Sequence, residues 1–137
     1  MDLYGHKANQ LARSFTKKLN EKISPFGLYS SQLGIISYLR KQEQCTQCEL
    51  SKYLNVEAPT ITRTLARMQQ AGLVTREYGK DKREKYIKLT EKAYIIFEKC
   101  FEANYSVEKE AIKDISKEEL EIFNNVVNKM IKNLDQK

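Results

Sequence analysis

Three groups of side chains carry chemistry beyond packing. Thr60, Thr62, Arg63 and Arg67 fall within eight residues of one another. A guanidinium offers a planar fork of donors that fits a guanine edge or a phosphate, and threonine offers a hydroxyl and a methyl. Lys80, Lys82, Arg83 and Lys85 form a second cationic set in a run with no apolar residue from Gly79 to Lys85. Asp81 lies among them; a carboxylate would be repelled by phosphates, so its expected role is to pair with Arg83 or Arg76 and orient the segment. The third group is the pair Cys45 and Cys48, with Cys100 far downstream. Cys48 sits where a helix begins, which favours a thiolate and raises the alternative of a redox- or metal-responsive protein. A zinc site would need a second ligand pair, and His6 is the single histidine, so no metal and no cofactor is expected. There is no glycine-rich phosphate loop, no recognisable carboxylate pair and no nucleophilic triad, so the chain does not read as an enzyme.

These groups must be held by a small scaffold. The 137 residues, 41% hydrophobic and 31% charged with five glycines and two prolines, suit one compact domain with an apolar core. The net charge of +6 is uneven: +4 over residues 1–46, +4 over 47–90 and −2 over 91–137. That places an anion-binding surface in the middle of the chain. No stretch reaches the roughly 20 apolar residues of a membrane span, and the absence of a signal-peptide core predicts a cytoplasmic protein.

Periodicity predicts the elements. Leu11, Phe15, Leu19 and Ile23 mark one face of a long first helix, ended by Pro25 and Gly27. Ser30 or Ser31 would cap a second helix carrying Leu33, Ile36 and Leu39. Thr46-x-x-Glu49 is a capping box that opens a short helix at Gln47, and Asn55 suits the left-handed exit. Ala58 is a weak cap, and Pro59 suits the first turn of a helix with Ile61, Leu65 and Met68 inward, stopped by Gly72. Two short helices joined by a tight turn are a helix-turn-helix, whose second helix can enter a DNA major groove. Residues 73–78 and 85–89 read as two strands joined by an exposed cationic hairpin, a wing. Thr90 would cap a further helix with Ala93, Phe97, Cys100 and Phe101 on one stripe, and Ser116-x-x-Glu119 a last one. That last helix carries Leu120, Phe123, Val127, Met130 and Leu134 beside Ile122, Val126 and Ile131, an apolar face too broad for one chain to cover.

The sequence resembles the MarR family of bacterial winged helix-turn-helix regulators over nearly its whole length. Ile61-Thr62-Arg63 and Leu65-Ala66-Arg67-Met68 look like the family's recognition helix, Gly72-Leu73-Val74 its exit, and Asp81-x-Arg83-x-x-x-Ile87-x-Leu89-Thr90 its wing. Ala93 departs from a frequent glycine. The resemblance implies a mainly α fold with a small β wing: a winged helix-turn-helix over 30–90, flanked by dimerisation helices over 1–29 and 91–137. It further implies a homodimer that represses transcription from an inverted-repeat operator in double-stranded DNA. Thr60, Thr62, Arg63 and Arg67 would then read bases, Arg83 would enter the minor groove, and Lys80, Lys82 and Lys85 would attract phosphates, with Arg76 the strand arginine. Release by a small, often phenolic effector is implied, with Phe15, Tyr29 and Tyr38 as pocket candidates. The family's peroxide sensors carry their reactive cysteine in the first helix, where this chain has none.

Overall fold

The computed structural model describes residues 3–79 and 83–135. The elements run α1 (Tyr4–Ile23), a 3-10 turn (Ser24–Phe26), α2 (Ser30–Gln42), β1 (Gln44–Thr46), α3 (Gln47–Leu54), α4 (Ala58–Gln70), β2 (Val74–Tyr78), β3 (Lys85–Leu89), α5 (Glu91–Ala111) and α6 (Lys117–Asp135). The fold is the expected one, mainly α with a small β wing, and it separates into two compact units, Met1–Val107 and Glu108–Lys137.

In the first unit the core gathers Ile35, Ile36 and Leu39 from α2, Leu50 from α3, Ile61, Leu65 and Met68 from α4, and Val74 and Ile87 from the sheet, with Ala93, Phe97 and Cys100 from α5 closing it. The stripe Ile61-Leu65-Met68 is buried to within 2% on α4. Burying those three side chains stabilises the fold by roughly 1.5–3 kcal/mol each and fixes which face of α4 remains outside.

Local chemistry sets most boundaries. Thr46 caps α3: its Oγ1 accepts from the Glu49 amide at 3.2 Å, and the Glu49 carboxylate accepts from the Thr46 amide at 3.4 Å. Asn55 leaves α3 at φ 54°, the left-handed region that asparagine tolerates. Gly79 opens the hairpin because the Tyr86 ring fills the place where a side chain would stand. Thr90 Oγ1 accepts from the Ala93 amide at 3.3 Å and donates to the Gly72 carbonyl at 2.6 Å, so one hydroxyl opens α5 and closes the exit of α4. In the second unit, Ser116 and Glu119 form the expected reciprocal cap of α6.

Three details differ from the sequence reading. The N-cap of α2 is Tyr29, whose amide is taken by the Gln32 side chain, while the Ser30 amide donates to Asn20 Oδ1 at 2.7 Å. A glutamine three residues in and a distant asparagine replace the serine hydroxyls. The N-cap of α4 is Glu57, with Ala58 and Pro59 the first helical residues, and no side chain caps that end. The sheet has a third strand: β1 pairs antiparallel with β3, Thr46 opposite Tyr86 and Cys45 opposite Ile87, giving the order β1-β3-β2.

The left-handed exit of α3 yields a test. Asn55→Gly should leave stability within a few tenths of a kcal/mol, whereas Asn55→Val should cost about 1–2 kcal/mol in urea unfolding, because a branched side chain resists that backbone region.

Candidate nucleic-acid interface

The burial of Ile61, Leu65 and Met68 turns Thr60, Thr62, Arg63 and Arg67 outward, and all four are exposed. Arg63 Nη2 donates to Thr60 Oγ1 at 3.4 Å, a long contact that leaves most of the guanidinium fork open to another partner. The hydroxyls of Thr62 and Thr64 donate back to the carbonyls of Ala58 and Thr60, each at 2.9 Å. No side chain caps α4, but Pro59 has no amide hydrogen and the Thr60 amide donates to the Glu57 carbonyl at 3.1 Å, so what that end can offer an anion is the Ala58 amide.

Both ends of α4 are tied to neighbouring elements. At the start, Gln47, the first residue of α3, donates its side-chain amide to Thr62 Oγ1 at 2.5 Å and to the Ala58 carbonyl at 3.5 Å. At the end, Lys92 of α5 donates to the Ala71 carbonyl at 2.8 Å beside the Thr90–Gly72 bond, placing a cation at the negative pole of the helix. Nothing in the sequence marks Gln47 or Lys92 for these contacts. Both act across loops, and only the capping box immediately before Gln47 hinted that its position was fixed.

The wing stem rises from β2 and β3, with Arg76 opposite Ile87 and Tyr78 opposite Lys85. Lys85 Nζ lies 5.1 Å from the centre of the Tyr78 ring, which steadies the cation while leaving it exposed. Arg83 is exposed where the wing rejoins β3. Lys80, Asp81 and Lys82 lie outside the described residues, and with them the expected pairing of Asp81 with Arg83 or Arg76. Arg76 Nε and Nη2 are buried without a hydrogen-bond partner among the described residues. A cavity of about 230 Å³ opens beside them, lined by Thr46, Gln47, Cys48, Arg76, Arg83, Glu84, Lys85 and Ile87. The base of the wing and the start of α3 therefore share one cationic hollow.

The cysteines separate by environment. Cys45 is fully buried in β1, and burial, reinforced by the Glu49 carboxylate, pushes its thiol up to about 12. Burial also pushes the Cys100 thiol up. Cys48 is exposed. No cluster of three metal-ligating side chains occurs among the described residues.

The aromatic residues expected to line a ligand pocket lie on α1, at the N-cap of α2 and on α2 itself. Phe15 is half-buried on α1, Tyr29 is exposed at the start of α2, and Tyr38 stacks on Tyr53 with ring centres 4.3 Å apart. A larger cavity, about 350 Å³, is lined instead by Arg40 of α2 and by Phe97, Glu98, Phe101 and Glu102 of α5. The Arg40 guanidinium lies 4.7 Å above the Phe97 ring. Helical spacing brought Phe97 and Phe101 onto one stripe in the sequence, but only the packing of α2 beside them makes a hollow.

Residues 28–85 match the model of the MarR family. Among curated proteins, the chain is 44% identical over 121 residues to the HTH-type transcriptional regulator YwoH of Bacillus subtilis, covering 88% of each protein. Among solved structures, a cysteine-to-serine mutant of MarR from E. coli complexed with operator DNA is similar at 26% identity and a TM-score of 0.83, covering 95% of this chain and 99% of that one. The MepR–DNA complex of S. aureus shares the fold at 22% identity and a TM-score of 0.86, covering 97% of both chains. Among the described residues, no helix is long and apolar enough to cross a membrane.

The thiol environments make a direct prediction. Iodoacetamide at pH 8 should alkylate Cys48 of the folded protein, while Cys45 and Cys100 should react only after denaturation; peptide mass spectrometry reads all three sites.

Proposed function

The chain belongs to the MarR family of transcriptional regulators and is not an enzyme; on that premise we propose that it binds an inverted-repeat operator as a homodimer, represses transcription in the cytoplasm, and is released by a small effector. The observation that carries the DNA-binding part is the exposed row Thr60, Thr62, Arg63 and Arg67 on a helix whose opposite face is locked in the core. Such a helix enters a major groove with Arg63 against a guanine edge and the threonines against phosphates or thymine methyls. The wing supplies Arg83 to the minor groove and Lys80, Lys82 and Lys85 to the backbone, with Asp81 orienting the tip. The E. coli MarR complex with operator DNA, similar along almost the whole chain, supports this reading.

The dimer is supported by α6. None of its described residues is buried, although Ile122, Phe123, Val126, Met130, Ile131 and Leu134 all project from it, Leu134 at 84% exposure. A second copy is the partner that closed symmetry supplies, and two-fold related recognition helices reach successive major grooves about 10 bp apart. For the effector, the cavity floored by Phe97 and Phe101 offers an aromatic surface of suitable size for a phenolic molecule, beside the candidates Phe15, Tyr29 and Tyr38. A redox reading through Cys48 and Cys45 finds less support, since Cys45 is buried and protonated at neutral pH.

Two substitutions separate the contact classes. Arg63→Ala should relax base preference at one operator position by about 1–3 kcal/mol. Lys85→Ala should weaken all DNA equally and reduce the slope of log affinity against log salt by about one. Unchanged affinity and preference in Arg63→Ala would refute the assignment of that arginine as a reader.

A further inference from the structure

The contact between Gln47 and the first turn of α4 does more than brace two helices. The Ala58 carbonyl can only accept, so the Gln47 atom facing it is the amide nitrogen rather than the oxygen. That same nitrogen donates to Thr62 Oγ1, and the Thr62 hydroxyl spends its own proton on the Ala58 carbonyl. The Thr62 hydroxyl thus gives its one hydrogen and takes one from Gln47. Its side-chain torsion is held from two sides. An exposed threonine with only the bond back to its own helix keeps a choice of rotamers, because the hydroxyl is free to exchange that bond for water.

We propose that Gln47 is a positioning residue for base recognition: by engaging the Thr62 hydroxyl it fixes that side chain so that the γ-methyl is what the recognition helix offers the major groove, selecting a thymine methyl at one operator position. This rests on the reading of Thr62 as a DNA-facing residue. The position of Gln47 is itself fixed. It follows Thr46, whose side chain caps α3 while its backbone pairs with Tyr86 of β3, so the clamp is anchored to the wing sheet as well as to α3. Gln47 is half-buried, as a group that works from behind the reading surface should be. A phosphate contact by the Thr62 hydroxyl would require withdrawing its one proton from the Ala58 carbonyl, whereas a methyl contact leaves both bonds in place.

The test compares thymine with uracil, which lacks only the methyl. An operator bound with sequence preference is first selected from random duplexes, so that absence of any preference reports failure of the DNA-reading assignment rather than of the clamp. Uracil is then substituted for each thymine in turn. The wild-type protein should lose about fourfold in affinity at one position per half-site, the worth of one buried methyl. Gln47→Ala should erase most of that contrast without lowering the melting temperature by more than a few degrees. Gln47→Glu, which keeps the size but cannot donate to the Ala58 carbonyl, should do the same and serves if the alanine variant folds poorly. In a Thr62→Val background, where a methyl is presented with no hydroxyl to hold, Gln47→Ala should leave the contrast unchanged. The proposal is overturned if the wild-type protein shows no thymine-to-uracil contrast, if both Gln47 variants retain it, or if Gln47→Ala has equal effects in both backgrounds.

Discussion

Everything the outer surface offers depends on the burial of Ile61, Leu65 and Met68 on α4. A helix free to roll by one residue would swing its polar row by about 100°. Three large side chains pressed into a close-packed core make such a roll costly, since each would leave a void or a clash. The row Thr60, Thr62, Arg63 and Arg67 therefore faces outward with a defined register, which is what the proposed reading of bases by these residues needs. The ties at the two ends of α4, Gln47 at the start and Thr90 with Lys92 at the finish, remove the remaining freedom to slide or tilt.

The wing is joined to this helix through β1. That strand is three residues long, yet its last residue, Thr46, pairs with β3 and caps α3 at the same time. A displacement of the wing stem therefore reaches α3 through one residue, and through Gln47 it reaches the first turn of α4. The hollow lined by Arg76, Arg83 and Lys85, with Glu84 among them, lies at this junction, where the stem meets the helix-turn-helix.

Much of this was legible in the sequence because it is local. The Thr46 and Ser116 capping boxes, the left-handed Asn55, the proline in the first turn of α4 and the buried stripe of that helix all follow from residues within one or two turns of one another. What escaped was made by distance. The strand β1 is too short to carry a pattern and exists because β3, forty residues later, pairs with it. Gln47 and Lys92 look like ordinary surface residues until the turn carries them to the ends of α4. Ser30 and Ser31 looked like caps, but Gln32 and Asn20 supply the oxygens instead. The stack of Tyr38 on Tyr53 and the hollow on Phe97 and Phe101 are likewise products of packing between elements that the sequence does not show side by side.

The proposed homodimer joins the exposed apolar face of α6 and the outward polar row of α4 in one expectation, that the reading unit is symmetric. Selection of bound sequences from a random duplex pool at moderate salt tests this most directly. An inverted repeat whose half-site centres lie about one helical turn, roughly 10 bp, apart should be recovered. Recovery of single unpaired half-sites, or of no preferred sequence at all, would contradict a symmetric reading unit.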